Sequence, residues 1–314
     1  MKLKPLSFAL ERLTPVPEPT SSFRNKTILI TGSNTGLGLE AAIKFARLDT
    51  SRLILAVRDP TKGAAAKAQI EARSGRQDGL VVEVWPLDMG DYESIQAFAA
   101  RAEKELERVD VAVLNAGVSP YRYVESSEGW ESTLQVNVLG TALLGLLLLP
   151  KMRASSALLA KASASPPSKA HLVVVTSVAH DWLEWSDLPD PTPSGGNMLR
   201  AASAKPAEGK PYGSQTQYSI SKLFAMYATQ ALAKAATGAD GNAEVIVTSV
   251  CPGACRSDLM RNSLKAGLGV KVAVDAFQAV FSKSAEAGAK SYVIAAALGE
   301  EAHGGFVRTT QLSK

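Results

Sequence analysis

With 314 residues, 46% of them hydrophobic and 20% charged, the chain can bury a sizeable core and has the make-up of an ordinary soluble globular protein. A formal charge of +4, not gathered into any run, gives no case for a nucleic-acid partner. Cys251 and Cys255 stand as C-x-x-x-C with no His or Cys nearby, a poor metal set that fits a reduced intracellular compartment; no metal is expected, and neither cysteine is read as functional.

The start, Met1 to Leu10, lacks the long apolar core and small-residue cleavage site of a signal peptide. Residues 1–22, punctuated by Pro5, Pro15, Pro17 and Pro19, read as an arm ahead of a domain over 23–314. Lys26 to Ile30 is apolar and β-branched, a buried parallel strand. The turn Thr31-Gly32-Ser33-Asn34-Thr35-Gly36-Leu37-Gly38 follows, then a helix with Leu39, Ile43 and Ala46 at helical spacing. In that turn Gly32 allows a tight bend, Gly36 a close approach of backbone to phosphate, and Gly38 close packing of helix on strand. The free N–H groups and dipole of the helix start favour a pyrophosphate. The spacing differs from the common G-x-G-x-x-G, so a merely structural turn competes with this reading.

Arg52 to Val57 supplies a second strand, and Asp59 with Pro60 caps and opens a helix over Thr61 to Arg73. A third strand, Leu80 to Trp85, leads to Asp88, and a helix from Asp91 shows Ile95, Phe98, Ala102 and Leu106 on one face. A fourth, Val109 to Leu114, runs into Asn115-Ala116-Gly117. A long helix is expected from about Glu128 to Met152. Its apolar stretch, Val138 to Leu149, is too short to span a bilayer and ends at Pro150; it suits a buried helix, or a helix pair in a homodimer or homotetramer. The fifth strand is His171 to Ser177, and a sixth, Glu244 to Val250, ends at Cys251-Pro252-Gly253. Between them lie an insert over 179–211, rich in Pro, Gly, Ser and Ala, and a helix from about Thr216 to Ala236 with Tyr218 and Lys222 one turn apart. A helix over Ser284 to Leu298 and an edge strand near Phe306 complete the chain. With no repeat and no linker, the reading is α/β: one doubly wound Rossmann domain with a parallel sheet of about seven strands and its ligand outside the carboxyl ends.

Taken in order, the glycine turn, Asp88, Asn115-Ala116-Gly117, Asn137, Ser177, Tyr218-Ser-Ile-Ser-Lys222 and Pro252-Gly253 resemble the short-chain dehydrogenase/reductase superfamily, from about Asn25 to Leu259. Thr31 to Gly38, Ala56-Val-Arg-Asp59 and Tyr218 to Leu223 resemble its retinol-dehydrogenase-like branch and fungal biosynthetic relatives. The resemblance implies that Tyr218 gives or takes the proton, that Lys222 lowers its pKa and holds the nicotinamide ribose, that Ser177 bonds the substrate oxygen, and that Asn137 positions a relay water. It also implies that Gly32, Ser33, Asn34, Gly36, Leu37, Gly38, Asn115, Ala116 and Gly117 shape the cofactor cleft. Asp88 would contact adenine, or else cap a turn; Pro252, Gly253 and Ser257 would touch the carboxamide.

The second strand ends at Arg58 where NAD-binding members carry an acid, and an arginine there can pair with a 2′-phosphate, so NADP(H) is the expected cofactor. Trp182, Leu183 and Trp185 at the head of the insert suggest a large apolar substrate under a mobile lid, or tryptophans that anchor the insert. A cytoplasmic NADP(H)-dependent oxidoreductase acting on a hydrophobic ketone or alcohol is the main reading. The alternatives are non-redox dehydration, epimerisation or cyclisation with NADP(H) bound, and a cofactor-binding protein without turnover.

Overall fold

A computed structural model describes residues 15–76, 79–162, 168–256, 259 and 282–313. Its strands are β1 (Thr27–Thr31), β2 (Arg52–Val57), β3 (Val81–Pro86), β4 (Val111–Leu114), β5 (His171–Val175), β6 (Ile246–Cys251), β7 (Phe306–Arg308) and β8 (Gln311–Ser313). They form one sheet in the order β3-β2-β1-β4-β5-β6-β7-β8, parallel except where β8 turns back on β7. The strand order reverses between β1 and β4, which opens the crevice where such sheets bind ligands.

The seven parallel strands match the expected count, and β8 adds an antiparallel eighth. It spans three residues beyond a turn in which Thr309 has φ 58°, too short for any alternation to show in the sequence. Pairing with β8 also makes β7 an interior strand rather than the expected edge.

Helices α1 (Gly36–Arg47), α2 (Pro60–Ser74), α3 (Tyr92–Glu105), α4 (Thr141–Ala162), α5 (Met198–Ser203), α6 (Ser214–Ala235) and α7 (Ala285–Ala295) complete the fold. Side chains alternate across β1. Leu29 joins Trp85, Phe98, Leu114, Leu148 and Leu232 on one face, while Ile28 and Ile30 join Phe45, Leu53, Val113 and Tyr292 on the other. Both faces are covered, which is why the strands read as unbroken apolar runs. Each fully buried Leu or Ile contributes roughly 1.5–3 kcal/mol. Asp59 caps α2 by accepting from Thr61 N and Lys62 N, with Pro60 in its first turn, as its sequence position dictates.

The long central helix differs from expectation. A short turn, Ser132–Leu134, passes through a π-helical segment, Gln135–Gly140, into α4, which runs through Pro150 to Ala162. Pro150 is exposed, and Leu146, whose carbonyl loses its helical donor there, is 50% exposed, so water can satisfy that carbonyl. The whole helical stretch Ser132–Lys161, longer than the apolar run Val138 to Leu149 within it, is long and apolar enough to cross a membrane, with a mean hydropathy of 1.7. Its burial accords with the expected buried helix: 61% of its apolar window is packed inside the protein.

The arm shows no helix over its described part, 15–22, but it is fastened: Val16 is buried, and Glu18 bridges Lys44 of α1 (2.8 Å) and Lys290 of α7 (2.6 Å). The insert is also structured, with 3₁₀ turns at Val178–Trp182, Trp185–Asp187 and Thr192–Ser194 ahead of α5. Its apolar anchors are Leu183, Leu188 and Leu199, packed on Leu134, Val138 and Ile220. Trp185 is 87% exposed, so it does not tie the insert to the core.

Candidate functional site

The glycine turn leaves β1 at the crevice. Gly32 and Gly36 have φ of +64° and +57°, the left-handed region that favours glycine. A Cβ on Gly38 would lie 2.5 Å from Gly32 O and 2.6 Å from Asn115 Nδ2, so the start of α1 packs against the turn as the spacing implied. Thr35 at the N-cap makes no side-chain cap bond, and the first turn of α1 carries no acid. The N–H groups and positive end of a twelve-residue helix thus face the crevice without a carboxylate beside them, a cradle that fits a dinucleotide pyrophosphate.

What holds this cradle is Asn115. Its Nδ2 donates to Thr31 O (2.9 Å) and Gly32 O (3.2 Å), its Oδ1 accepts from Tyr292 O–H (3.1 Å), and the N–H groups of Asn115 and Ala116 both donate to Thr31 Oγ1 at 2.9 Å. The side chain joins β1, β4 and α7 and has no donor left for a cofactor. Tyr292 was not visible as a site residue, since its partner lies 177 positions away. Tyr292→Phe should lower stability by about 1 kcal/mol through the lost bond, read as a shifted denaturant midpoint; an unchanged midpoint would remove Tyr292 from the clamp.

Other residues expected around a cofactor fare differently. The Ser33 hydroxyl is fully buried and donates to Ile30 O (3.0 Å), so its side chain is not a phosphate donor. Asn34 and Leu37 are half-buried on the turn. Arg58 is exposed at the end of β2, with no ion-pair partner among the described residues. Asp88 caps its own turn, Oδ1 accepting from Gly90 N (2.8 Å), which favours the capping role over an adenine contact. Gly253 has φ +80° after the buried Pro252, and its N–H donates to Cys251 Sγ. Ser257 lies outside the described residues.

Tyr218 and Lys222 share a face of α6 as their spacing requires, with Lys222 Nζ 5.6 Å from the centre of the Tyr218 ring. Lys222 is buried and donates to Val175 O (2.9 Å) at the carboxyl end of β5, two residues before Ser177. Burial pulls the ammonium down to about 8, and the nearby Cys251 thiol offsets this only in part. For Tyr218 the causes that set the phenol are burial, Cys251 and Ser177, with no lowering by Lys222 among them. Burial raises the phenol well above its usual value, Cys251 adds to the rise, and the nearby Ser177 hydroxyl opposes it. Desolvation, the largest cause, disfavours the phenolate. Tyr218 therefore keeps its proton at neutral pH.

Ser177 ends the segment after β5; its Oγ also accepts from Ala179 N (3.2 Å). Asn137 sits in the π-helical segment, a feature frequent at functional sites. Its amide is occupied: Oδ1 accepts from Val118 N (2.9 Å), and Nδ2 donates to Val118 O and Ser221 Oγ, both 3.0 Å. Ser221 in turn donates to Tyr218 O (2.7 Å). Instead of offering a side-chain donor to water, Asn137 pins the loop after Gly117 to the helix bearing Tyr218. Cys251, not expected to matter, is a buried hub: its Sγ accepts from Val178 N and Gly253 N, joining the loops after β5 and β6. Among the described residues no group of His, Cys, Asp and Glu gathers to hold a metal.

Residues 26–182 match the family model for short chain dehydrogenases. The chain is 40% identical over 306 residues to the short-chain dehydrogenase/reductase phmF of Phaeosphaeria nodorum, covering 97% of this chain and 83% of that protein. It is 41% identical over 292 residues to ffsI of Aspergillus flavipes, of the same description, covering 93% and 79%. Among solved structures, a short-chain type dehydrogenase/reductase from Mycobacterium ulcerans aligns with a TM-score of 0.62 at 18% identity, over 91% of this chain and 89% of that one. The Pseudomonas aeruginosa RhlG/NADP active-site complex aligns with a TM-score of 0.62 at 20% identity, over 92% and 96%. At such identities the structural likeness speaks for the fold alone.

Proposed function

The chain belongs to the short-chain dehydrogenase/reductase family and is an oxidoreductase of that type; from that premise we propose that it uses NADP(H) to interconvert a ketone and a secondary alcohol on a hydrophobic substrate. One observation carries the reading: Tyr218 and Lys222 share a face of α6 beside Ser177 at the mouth of β5, with burial holding the proton on the phenol. Bound in the crevice, a nicotinamide supplies or accepts the hydride. The chain's own groups do the rest. Ser177 Oγ and the Tyr218 hydroxyl hold the carbonyl oxygen, Tyr218 gives that oxygen its proton as charge develops, and Lys222 faces the phenolate that remains. A phenol still protonated at neutral pH suits reduction, the direction a cytoplasmic NADPH pool also favours.

Preference for the phosphorylated cofactor rests on the exposed Arg58, with Asp59 committed to capping α2. Fungal relatives and the insert's apolar head support a specialised-metabolite substrate. The half-exposed Leu146 and Leu147 on α4 are the surface a homodimer or homotetramer would use. The test is to incubate purified protein with NADPH or NADH and a panel of polycyclic and long-chain ketones, following reduced-nicotinamide absorbance beside product mass. Oxidation of NADPH with a gain of two hydrogens is expected. Substrate conversion without NADPH consumption would favour the non-redox reading, and binding without conversion the cofactor-binding protein.

A further inference from the structure

Glu131 is a buried carboxylate that the chemistry above does not use. It is 1% exposed, yet no lysine or arginine pairs with it among the described residues. Its charge is met by hydrogen bonds. Oε1 accepts from Thr133 N (2.8 Å), Thr133 Oγ1 (2.8 Å) and Tyr212 O–H (2.9 Å); Oε2 accepts from Leu134 N (3.1 Å) and Gln217 Nε2 (2.9 Å). These donors come from three places: the turn leading to Asn137, the end of the insert, and the first turn of α6, one residue before Tyr218. A buried carboxylate is costly to desolvate, and multiple donors of this kind are what make it tolerable.

Around it the second half of the insert is bound on several sides. Glu131 N donates to Ser203 Oγ (2.8 Å), Tyr123 O–H to Ser203 O (3.3 Å), and Gln217 Nε2 also to Ala202 O (3.0 Å). The Arg200 guanidinium lies 3.6 Å over the Trp130 ring, and Tyr123 meets Tyr212 edge to face. The first half differs. Among the described residues, the hydrogen bonds of 184–196 all stay within 184–197, and Trp185 stands out in solvent.

We propose that Glu131 is a positioning residue that locks residues 198–212 and the Tyr218-bearing start of α6 into one block, leaving 184–196, fastened outside itself by the apolar contact of Leu188 and by no hydrogen bond among the described residues, as the part that adapts to substrate. Glu131 is too far into the protein to touch a reactant; it acts through Gln217 and Tyr212. The inference deepens the reading of Tyr218 as proton donor and rests on it for its kinetic consequence. The structural consequence stands apart from that reading.

Amide hydrogen exchange of the full chain, with NADPH alone as ligand, tests the block. In wild type, 198–212 and 214–222 should exchange at least about 10-fold more slowly than 184–196. Glu131→Gln sets an amide N–H against the Leu134 or Tyr212 donor, and should speed exchange at 198–212 and 214–222 about 10-fold or more while β4 and β5 stay as protected as before. Its NADPH affinity should hold, and its kcat on the best ketone of the panel should fall about 10- to 100-fold. Tyr212→Phe removes only the insert's link, so it should loosen 198–212, raise KM, and leave kcat within about 3-fold. If Glu131→Gln does not fold, Gln217→Met carries the same comparison at 214–222. Unchanged exchange at 198–212 in both Glu131→Gln and Tyr212→Phe, or an increase spread evenly over the whole sheet, would overturn the proposal. Wild type that fails to oxidise NADPH with any ketone would instead sink the oxidoreductase reading, with the exchange data still deciding the block.

Discussion

Tyr218→Phe should fold, bind NADPH as wild type does, and lose about 10²- to 10⁴-fold in turnover. The ring stays, so its packing and the backbone bond from Ser221 to Tyr218 O are retained. Only the hydroxyl is lost, and with it the proton that the carbonyl oxygen must receive. Ser177→Ala should also be severely slowed, because it removes the hydroxyl that would share the substrate oxygen with Tyr218. The double variant should cost less than the product of the two, since each single change already breaks the shared constellation. The pH profile gives an independent check. With Lys222 near 8, kcat/KM for reduction should fall as pH rises through about 8, because the ammonium that faces the developing phenolate is lost. Turnover in Tyr218→Phe within a few-fold of wild type would remove the phenol from the chemistry.

Elements set by local chemistry were legible in the sequence. The cap and proline at Asp59-Pro60 start α2, and the apolar faces around Ile95 and Phe98 place α3. Four-residue spacing puts Tyr218 and Lys222 on one helix face whatever the tertiary context. Positions where a partner lies far along the chain were not legible. That Asn115 clamps the glycine turn depends on Thr31 and on Tyr292, 84 and 177 residues away, and Glu131 meets Gln217 across 86. The surroundings of the phenol were not legible for the same reason. Helical spacing brings a charge near, but burial and the Val175 carbonyl decide what that charge does. The helix runs through Pro150 to Ala162, past the expected end near Met152, and it is exposed at the proline's turn, where water can reach the carbonyl left without a donor.

Arg58→Ala should weaken NADPH and spare NADH. The residue follows β2, beside the crevice where the adenosine ribose of a dinucleotide lies in this fold, and no acid stands at the NAD-selecting position. A charge-assisted contact to a 2′-phosphate is worth about 1.5–3 kcal/mol, or roughly 10- to 150-fold in affinity. Because Arg58 is exposed, solvent screening should bring the loss toward about 10-fold, and added salt should shrink it further. Ser33 cannot compensate through its hydroxyl, which is committed to Ile30 O; Asn34, half-buried on the turn, can. Arg58→Ala with Asn34→Ala should therefore lose more than either change alone, again without moving NADH. Calorimetric titration of both cofactors against wild type and the variants reads this directly. Equal weakening of NADH and NADPH would mean that Arg58 supports the end of β2 or stacks on adenine, and the selectivity would then have to reside elsewhere on the crevice wall.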